Sequence, residues 1–249
     1  MMAADASVKP VVGYIGAYTY AEVISGYTSW FLGVQSIVPT ATMKVQFTGS
    51  WYDETLEKEA AENLISQGCV LISQHADSWG APKACEKAGV PNVSYNGSTA
   101  SQCPNTFIVS SRINWQPYFE YIINQTKAGK AIEADWSQGL GNTLTDGSVC
   151  LTELGNAAVE GTQAKLDEVA AKLKDGSLKV FDLSKLTVGG EAIADDFMAN
   201  VDFDSAYTAD TVVIKTTASG VKYFAESEFR SAPYFELQID GITLLNQKF

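Results

Sequence analysis

The stretch Phe47–Ser78, FTGSWYDETLEKEAAENLISQGCVLISQHADS, decides the fold predicted for this chain. An apolar strand ends at Trp51, an amphipathic helix follows, and a second apolar strand leads to His75 and Asp77. Asp53 is a residue type that caps helix N-termini, so it marks where the helix begins. A strand, a helix and a strand in this order are typical of a parallel βαβ unit.

The same pattern continues on both sides of this stretch. Val11–Tyr18, VVGYIGAY, is typical of a buried parallel strand, and apolar residues at helical spacing predict a helix over Glu22–Val38. A third helix is predicted over Gly80–Ala88, and VPNVSYNG predicts a fourth strand. Repeating units of about 25–30 residues predict an α/β fold with a doubly wound parallel sheet and right-handed crossovers.

The chain beyond the fourth strand is less regular. NTFIVSSRI predicts another strand, Asn114–Ala128 predicts an aromatic-rich helix with Pro117 in its first turn, and GSVCLTEL predicts one more strand. The alternating charges of Glu160–Lys174 indicate a solvated helix. From Leu178 onward the sequence offers only short strand-like pieces, which are LKVFDL, KLTVGG, TVVIKT, VKYFAESEF and YFELQID.

Composition excludes several classes of partner. The 249 residues include 29 acidic and 17 basic ones, for a net charge of −12, which argues against nucleic acid and against anionic membrane surfaces. There is no apolar run of the roughly 18 or more residues that a membrane-spanning helix needs. The first ten residues, MMAADASVKP, lack the basic and apolar regions of a secretion signal.

The sequence predicts neither a cofactor nor a metal. GYIGAY lacks the third glycine of a dinucleotide-binding loop. The single histidine and the absence of any CxxC pair argue against a zinc site. A disulfide between any two of the cysteines stays open at this point. The four cysteines are Cys69, Cys85, Cys103 and Cys150.

The candidate site lies where the predicted strands end. Ligands of open parallel sheets bind at the carboxyl ends of the strands, so Trp51, His75, Asp77 and Asn96 are expected to converge on one rim. An aromatic face with a few polar groups suits a small-molecule pocket. The indole of Trp51 could stack on a flat base, and Asp77 and Asn96 could bond hydroxyls or ring nitrogens.

Each of these residues also has a purely structural explanation. Trp51 could fix the turn to the following helix, and His75 could be a satisfied core histidine. Asp77 could be the N-cap of the next helix, and Asn96 before Gly97 could form an ordinary turn. The binding hypothesis therefore depends on the coincidence of the four residues.

Motifs for catalysis are missing. There is no GxSxG, and His75 is the only available imidazole base. QHADS places His, Asp and Ser within one short segment, whereas the members of a catalytic triad normally come from separate segments. The sequence therefore favours a binding protein over an enzyme.

Several segments resemble the basic membrane protein family of ABC-transporter substrate-binding lipoproteins, of the purine nucleoside receptor type. They are VGYIGAYTYAEVISGYTSWFLGVQSIVP, GSWYDETLEKEAAENLISQGCVLISQHADS, GVPNVSYNG and RINWQPYFEYII, and the resemblance covers most of residues 11–155. FRSAPYFELQIDGI is similar to the tail of one branch of the family. The resemblance implies a type I periplasmic-binding-protein-like fold, whose two α/β lobes close on a purine nucleoside or nucleobase and deliver it to a permease.

The resemblance also implies roles for individual residues. Trp51 falls where the family places an aromatic that stacks on the base, and His75 and Asp77 fall in a loop that contributes polar contacts. Asn96 falls where many members have an aspartate that holds the ribose, so the asparagine weakens a nucleoside relative to a free base or another ligand. Tyr18 and Trp115 are weaker ligand-binding candidates, near the cleft and the hinge.

The resemblance begins at the family's second lobe. The expected organisation is an α/β ligand-binding lobe over 11–106, a crossover strand and helix toward the first lobe over 107–129, and returning C-terminal segments packed on the lobe over 130–249. Trp115 and Phe119 should then be poorly covered. The site should be half of a two-walled cleft, and its affinity should be weakened.

Partners and location follow from the same resemblance. The implied partners are a purine nucleoside or nucleobase, an ABC permease and, where the first lobe is a separate chain, that chain. No nucleic acid is expected. The full-length family protein is an extracytoplasmic lipoprotein, at the cell surface or in the periplasm. The alternatives are an enzyme or sensor on the same fold, or an incomplete fragment without independent binding.

Overall fold

The computed structural model describes residues 7–132, 147–199, 211–226, 228 and 234–248. Its main element is a seven-stranded sheet. The strands are β1 (Val11–Gly16), β2 (Thr42–Phe47), β3 (Cys69–His75), β4 (Asn92–Tyr95), β5 (Phe107–Ile113), β6 (Val149–Leu151) and, near the C-terminus, β11 (Ile242–Leu244). Their order across the sheet is β11-β2-β1-β3-β4-β5-β6, and every pairing is parallel except that of β5 with β6.

Helices cover both faces of this sheet. Apolar side chains of α1 pack on one face with Val12 and Tyr14 of β1. Side chains of α2 and α3 pack on the other face with Ile15. The doubly wound α/β prediction is thereby confirmed. The helices are α1 (Ala21–Ile37), α2 (Glu54–Ser66), α3 (Gly80–Ala88), α4 (Gln116–Lys127) and α5 (Thr162–Lys174).

Local chemistry sets the helix boundaries. The Asp53 carboxylate accepts hydrogen bonds from the amides of Thr55 and Leu56, so Asp53 is the N-cap of α2 as predicted. Gly89 ends α3 in the left-handed conformation, which glycine adopts without steric cost. Asp77 is not a helix cap, because α3 begins at Gly80 with Trp79 at the N-cap position.

The register of the central strands aligns their carboxyl ends. Gly16 pairs with Phe47 of β2 on one side and with His75 of β3 on the other. The residues that follow these three strands therefore emerge at one edge of the sheet. Tyr95, the last residue of β4, pairs with Ser111 of β5 farther along the same sheet.

The C-terminal segment returns to this edge. β11 pairs with β2, and beyond it the backbone carbonyl of Lys248 accepts hydrogen bonds from the amide and the hydroxyl of Thr19. The Asn246 side chain bonds both the amide and the carbonyl of Phe47. The loop that follows β1 is thus held by residues from the far end of the chain.

The prediction of a strand at YFELQID is wrong, because the part described, 234–240, contains no strand. Tyr234 and Phe235 are adjacent in sequence and both are buried, which breaks the alternation of a half-buried strand. Phe235 instead stacks on Phe181 with 4.3 Å between the ring centroids. The strand of this region is Ile242–Leu244, which fills the open side of β2.

The other C-terminal pieces form small elements. LKVFDL contains no strand and leads into a 3-10 turn at Leu183–Lys185. KLTVGG contributes only an isolated bridge between Val188 and Glu191. TVVIKT splits into two short strands, and VKYFAESEF contains a third. The strands are β7 (Met198–Ala199), which pairs with β8 (Thr211–Val212), and β9 (Ile214–Thr216), which pairs with β10 (Lys222–Phe224).

Helix α4 is poorly covered by the rest of the described residues. None of its residues is fully buried, and Phe119 is 56% exposed. Trp115, just before the helix, is 55% exposed, so both aromatics are poorly covered, as the sequence predicts. Among the helices that the structure describes, none has the length and apolar character needed to cross a bilayer.

Candidate functional site

Aromatic side chains line the carboxyl edge of the sheet. The rings of Tyr18 and Tyr20 stack with their centroids 5.1 Å apart, and Trp51 lies 5.6 Å from Tyr18. The Trp51 ring is 6.2 Å from His75, which is 4.5 Å from Tyr95. These five residues, from Tyr20 to Tyr95 in spatial order, form a continuous series that we call the aromatic row.

The row combines predicted and unpredicted residues. Tyr18, Trp51 and His75 were candidates, and the structure brings them together. Sequence reasoning missed Tyr20 and Tyr95, although each is next to or near a predicted strand end. For Tyr95 a signal was available in the sequence. An aromatic residue at the last position of a predicted strand lies at the edge of the sheet where the ligand site is expected.

His75 lies at the inner part of the row. It is only 7% exposed, and its Nε2 has no hydrogen-bond partner among the described residues. Burial lowers the pKa of His75 to about 4, even though the Glu22 carboxylate lies 3.8 Å from Nε2. The imidazole is therefore neutral at physiological pH, and its Nε2 is a buried atom whose hydrogen-bonding capacity is unused among the described residues.

A cleft of about 350 Å³ adjoins the row on the flank of α1. The rings of Tyr14, Trp30 and Tyr95 and the side chains of Val93 and Val109 line it, and His75 lies at its rim end. Burial raises the pKa of Tyr14 and Tyr95, so both hydroxyls stay protonated. Such walls suit a flat, uncharged molecule with few polar groups.

Two carboxylates lie close enough to Tyr95 to affect its hydroxyl. Glu22 and Asp77 both raise the pKa of the Tyr95 hydroxyl, after the larger effect of burial. Of the described residues that line the 350 Å³ cleft, none is a lysine or an arginine. An anionic ligand would therefore meet negative charge without a compensating cation.

Asp77 lies next to the row, on its outer side. Its backbone amide donates a 2.8 Å hydrogen bond to the carbonyl of Trp51, which fixes the two loops together. Its exposed side chain faces a smaller hollow of about 180 Å³, which Glu54, Trp79 and Lys83 also line. Asp77 is thus near Trp51 but is not part of the cleft lining.

Asn96 directly follows Tyr95 and is exposed. Its φ of 59° is in the left-handed region, which asparagine tolerates better than most residues. The next amide, that of Gly97, donates to the Ser110 hydroxyl at 3.2 Å. Asn96 is therefore held at a turn on the rim, as its position after β4 predicts.

Trp115 belongs to a second aromatic group. Its ring is 6.2 Å from that of Phe119 and 6.5 Å from that of Tyr118, all at or in the start of α4. Its described ring contacts do not include the aromatic row. Among the described ring contacts, Trp115 therefore has none with Tyr18, Trp51 or His75.

Comparisons with known proteins agree with this architecture. The family model described as ABC transporter substrate-binding protein PnrA-like (Bmp) matches residues 1–182. This chain belongs to that family. The family consists of substrate-binding components of transporters and not of enzymes, and its members are extracytoplasmic. The resemblance stated from sequence is confirmed.

Individual relatives extend the comparison. The chain is 29% identical over 211 residues to a purine-binding protein of Brucella abortus, covering 82% of this chain and 59% of that protein. It is 32% identical over 108 residues to a putative ABC transporter glucose-binding protein of Haloferax volcanii, covering 43% of this chain and 28% of that protein. The chain thus spans less than two thirds of the length of either relative.

A solved structure supports the fold. The ABC transporter solute-binding protein of Conexibacter woesei superposes with a TM-score of 0.55 at 22% identity, covering 71% of this chain and 61% of that chain. At this identity the similarity concerns the fold alone. It confirms the prediction of a periplasmic-binding-protein-like α/β architecture.

Proposed function

We propose that this chain binds a purine nucleobase or nucleoside along the aromatic row and presents it for delivery to an ABC permease. The observation that carries the proposal is the continuous contact from Tyr20 through Trp51 to Tyr95 at the carboxyl ends of parallel strands. Parallel sheets bind ligands at this edge, and flat bases stack on aromatic rings.

Hydrogen-bonding groups flank the stacking surface. The side chains of Asp77 and Asn96 are exposed on the rim, and the unpartnered Nε2 of His75 is buried just beneath the row, where a ligand that displaces the neighbouring side chains would reach it. A purine ring carries both donors and acceptors on its edge, so neutral imidazole and amide groups are suitable partners. The Brucella relative, which is a purine-binding protein, supports the same ligand class.

The proposed organisation is that of one lobe of a two-lobed protein. Residues 11–106 form the ligand-binding lobe, 107–129 cross toward a first lobe, and 130–249 return to pack on the ligand-binding lobe. The exposed Trp115 and Phe119 are proposed to contact that first lobe. Because one wall of the site is then supplied by the other lobe, the lobe alone binds its ligand more weakly than the complete protein.

The proposed setting is outside the cytoplasm. The complete protein would be a lipoprotein at the cell surface or in the periplasm, with an ABC permease as its partner. When the first lobe is a separate chain, that chain is a second partner.

Fluorescence titration tests the proposal. The purified chain is titrated with adenine, guanine, adenosine, guanosine and inosine, with ribose as a control, while tryptophan emission is followed. Saturable quenching by purines but not by ribose is expected. Trp51→Ala should abolish it, whereas Trp115→Ala, which removes a tryptophan of the other aromatic group, should leave the dissociation constant unchanged.

A titration without quenching is followed by a second one in the presence of a first lobe. If no purine quenches, the titration is repeated with a first lobe added as a separate chain. Recovery would support a fragment that needs both walls. Continued absence of a response would overturn the purine assignment.

A hexose is the second candidate ligand, because the Haloferax relative is a putative glucose-binding protein. Aromatic rings also pack on the apolar faces of sugars, and Asp77 and Asn96 could bond hydroxyls. A glucose arm in the same titration separates the two classes. Quenching by glucose without quenching by adenine would favour the sugar.

A further inference from the structure

Glu57 is a fully buried carboxylate in the first turn of α2. Burying a charged side chain is costly unless other groups compensate for it. Among the described residues, Glu57 forms no ion pair, and its Oε2 has no hydrogen-bond partner. A buried carboxylate with one unpaired oxygen needs an explanation beyond helix formation.

The other oxygen of Glu57 connects two loops of the rim. Oε1 accepts a hydrogen bond of 3.2 Å from the amide of Asp53 and another of 3.2 Å from the amide of Ser78. Asp53 is two residues after Trp51, and Ser78 directly follows Asp77. One carboxylate oxygen therefore holds the loop that carries Trp51 against the loop that carries Asp77.

The surroundings leave these loops little freedom. Ser78 is buried, and the side chain of Gln74 donates to the carbonyls of Ala76 and Ser78 at 3.0 and 3.1 Å. A β-carbon at Gly80 would lie 2.2 Å from the backbone oxygen of Glu54, so the first residues of α3 and α2, which follow the two loops, are in close backbone contact. Loss of the Glu57 oxygen would leave the buried amide of Ser78 and the partly buried amide of Asp53 without this acceptor.

We infer that Glu57 is a positioning residue. Its hydrogen bonds to the amides of Asp53 and Ser78 set the relative placement of Trp51 and Asp77, and Glu57 itself does not touch the ligand. The inference rests on the proposed function for its consequence, because Trp51 and Asp77 are ligand residues only under that proposal. The hydrogen bonds from the amides of Asp53 and Ser78 to Glu57 Oε1, which we call the clamp, join the two loops in the absence of ligand. Their effect can therefore be measured without ligand.

The chemistry of the clamp requires an acceptor oxygen and not a charge. Burial raises the pKa of Glu57, opposed by the hydrogen bonds from Ser78 and Asp53. The carboxamide of a glutamine keeps one oxygen at the same distance from the backbone. Glu57→Gln should therefore preserve the clamp, while Glu57→Ala removes it.

The ligand-free experiment uses the chain labelled with 5-fluorotryptophan. The 19F resonance of Trp51 is assigned by its loss in Trp51→Phe. Glu57→Ala should shift or broaden this resonance, whereas in Glu57→Gln the resonance should match that of the wild type. Leu64→Ala, a buried truncation farther along the same helix, should lower stability and leave the Trp51 resonance in place. An unchanged Trp51 resonance in folded Glu57→Ala would overturn the inference.

A second variant covers the case in which Glu57→Ala does not fold. Glu57→Asp keeps the carboxylate but is one methylene shorter, so it cannot span both amides from the same helix position. It should perturb the Trp51 resonance in the same way. A wild-type spectrum in Glu57→Asp would count against the clamp.

Adenine binding then tests the functional consequence. If Glu57→Ala displaces Trp51 from its ligand-free position, adenine should bind on the order of tenfold more weakly, because part of the binding energy then goes into reordering the loops; Glu57→Gln should bind adenine like the wild type. If the wild-type chain does not bind adenine, the proposed function fails, and the 19F spectra still decide whether Glu57 positions Trp51. If adenine binding in Glu57→Ala equals that of Leu64→Ala, Glu57 is only structural.

Discussion

The imidazole of His75 packs against Gly26 of α1 so closely that a β-carbon at position 26 would lie 2.6 Å from Nδ1. Gly33, two turns along the same helix, has no atom within 4 Å of the corresponding position. Gly26 is therefore required by the site, whereas Gly33 is not. The inner end of the aromatic row depends on this missing side chain.

Gly26→Ala should destabilise the protein by roughly 1–2 kcal/mol, because overpacking against His75 outweighs the gain in helix propensity. Gly33→Ala should stabilise it by up to about 1 kcal/mol, since only the helix propensity changes. Urea unfolding of both variants measures the difference. Equal stabilisation in the two variants would contradict the close contact between α1 and His75.

The stability of the protein should fall in acid because of His75. Its pKa is lowered from 6.5 in the unfolded chain to about 4 in the fold, so the unfolded state takes up a proton first. The penalty grows as the pH drops from about 6.5 to about 4 and reaches at most about 3 kcal/mol. Above pH 6.5 the penalty is absent.

Unfolding midpoints at a series of pH values test this dependence. Other acids also titrate in this range, so the informative quantity is the difference between the wild type and His75→Gln, which cannot titrate. The wild type should lose stability relative to the variant between pH 6.5 and 4. Parallel curves for the two proteins would show that His75 is not the buried neutral base described here.

Asn96 is expected to set the preference between a base and its nucleoside. Asn96→Asp adds a carboxylate that could bind a ribose diol, and hydrogen bonds to charged groups are stronger than neutral ones. The variant should bind adenosine about tenfold more tightly relative to adenine. Because Asn96 is exposed, the free energy of unfolding of the variant should equal that of the wild type. Calorimetric titration with adenine and with adenosine measures the ratio of the two dissociation constants.

Phosphorylated ligands should be rejected. Glu22 and Asp77 place negative charge around Tyr95, and no described residue of the cleft lining supplies a cation. We expect adenosine monophosphate to bind on the order of tenfold more weakly than adenosine, with a smaller difference at high salt. Glu22→Gln should reduce the difference in affinity between adenosine and adenosine monophosphate. Equal affinities at low salt would argue against this electrostatic account.

The exposed aromatics at the start of α4 should contribute little to the stability of the chain by itself. Phe119→Ser should change the free energy of unfolding by less than about 0.5 kcal/mol, because its side chain is more than half exposed. Phe107→Ala, a buried truncation in β5, should cost about 3–5 kcal/mol. A large loss in Phe119→Ser would mean that α4 packs on this lobe instead of on another one.

The convergence of the strand ends could be predicted from the sequence, and so could the Asp53 cap. Three parallel strands in one sheet bring Trp51 and His75 to the same edge whatever the details of packing. The cap requires only a local carboxylate and two amides. These features depend on topology or on neighbouring residues, which periodicity and residue type reveal.

Other parts of the site depend on contacts between distant segments. Tyr20 joins the row because α1 begins immediately after it, and Glu57 is buried only because the loop at Ser78 packs over it. In the sequence, Glu57 resembles any acidic residue in the first turn of a helix. A carboxylate four residues after an N-cap was the available signal, but its second partner lies 21 residues away.

The hydrogen bonds from Thr19 to Lys248 also bear on the order in which the protein folds. The two residues are separated by 229 positions, so these two hydrogen bonds to the loop that bears Tyr18 and Tyr20 form only after residues 242–248 have reached the sheet. Contacts between such distant segments form late, because closing a long loop costs entropy before any contact is gained. Trp51 and His75 can meet once residues 11–75 have folded together, whereas the tyrosine end of the same surface gains its hydrogen bonds to Lys248 only when β11 has paired with β2.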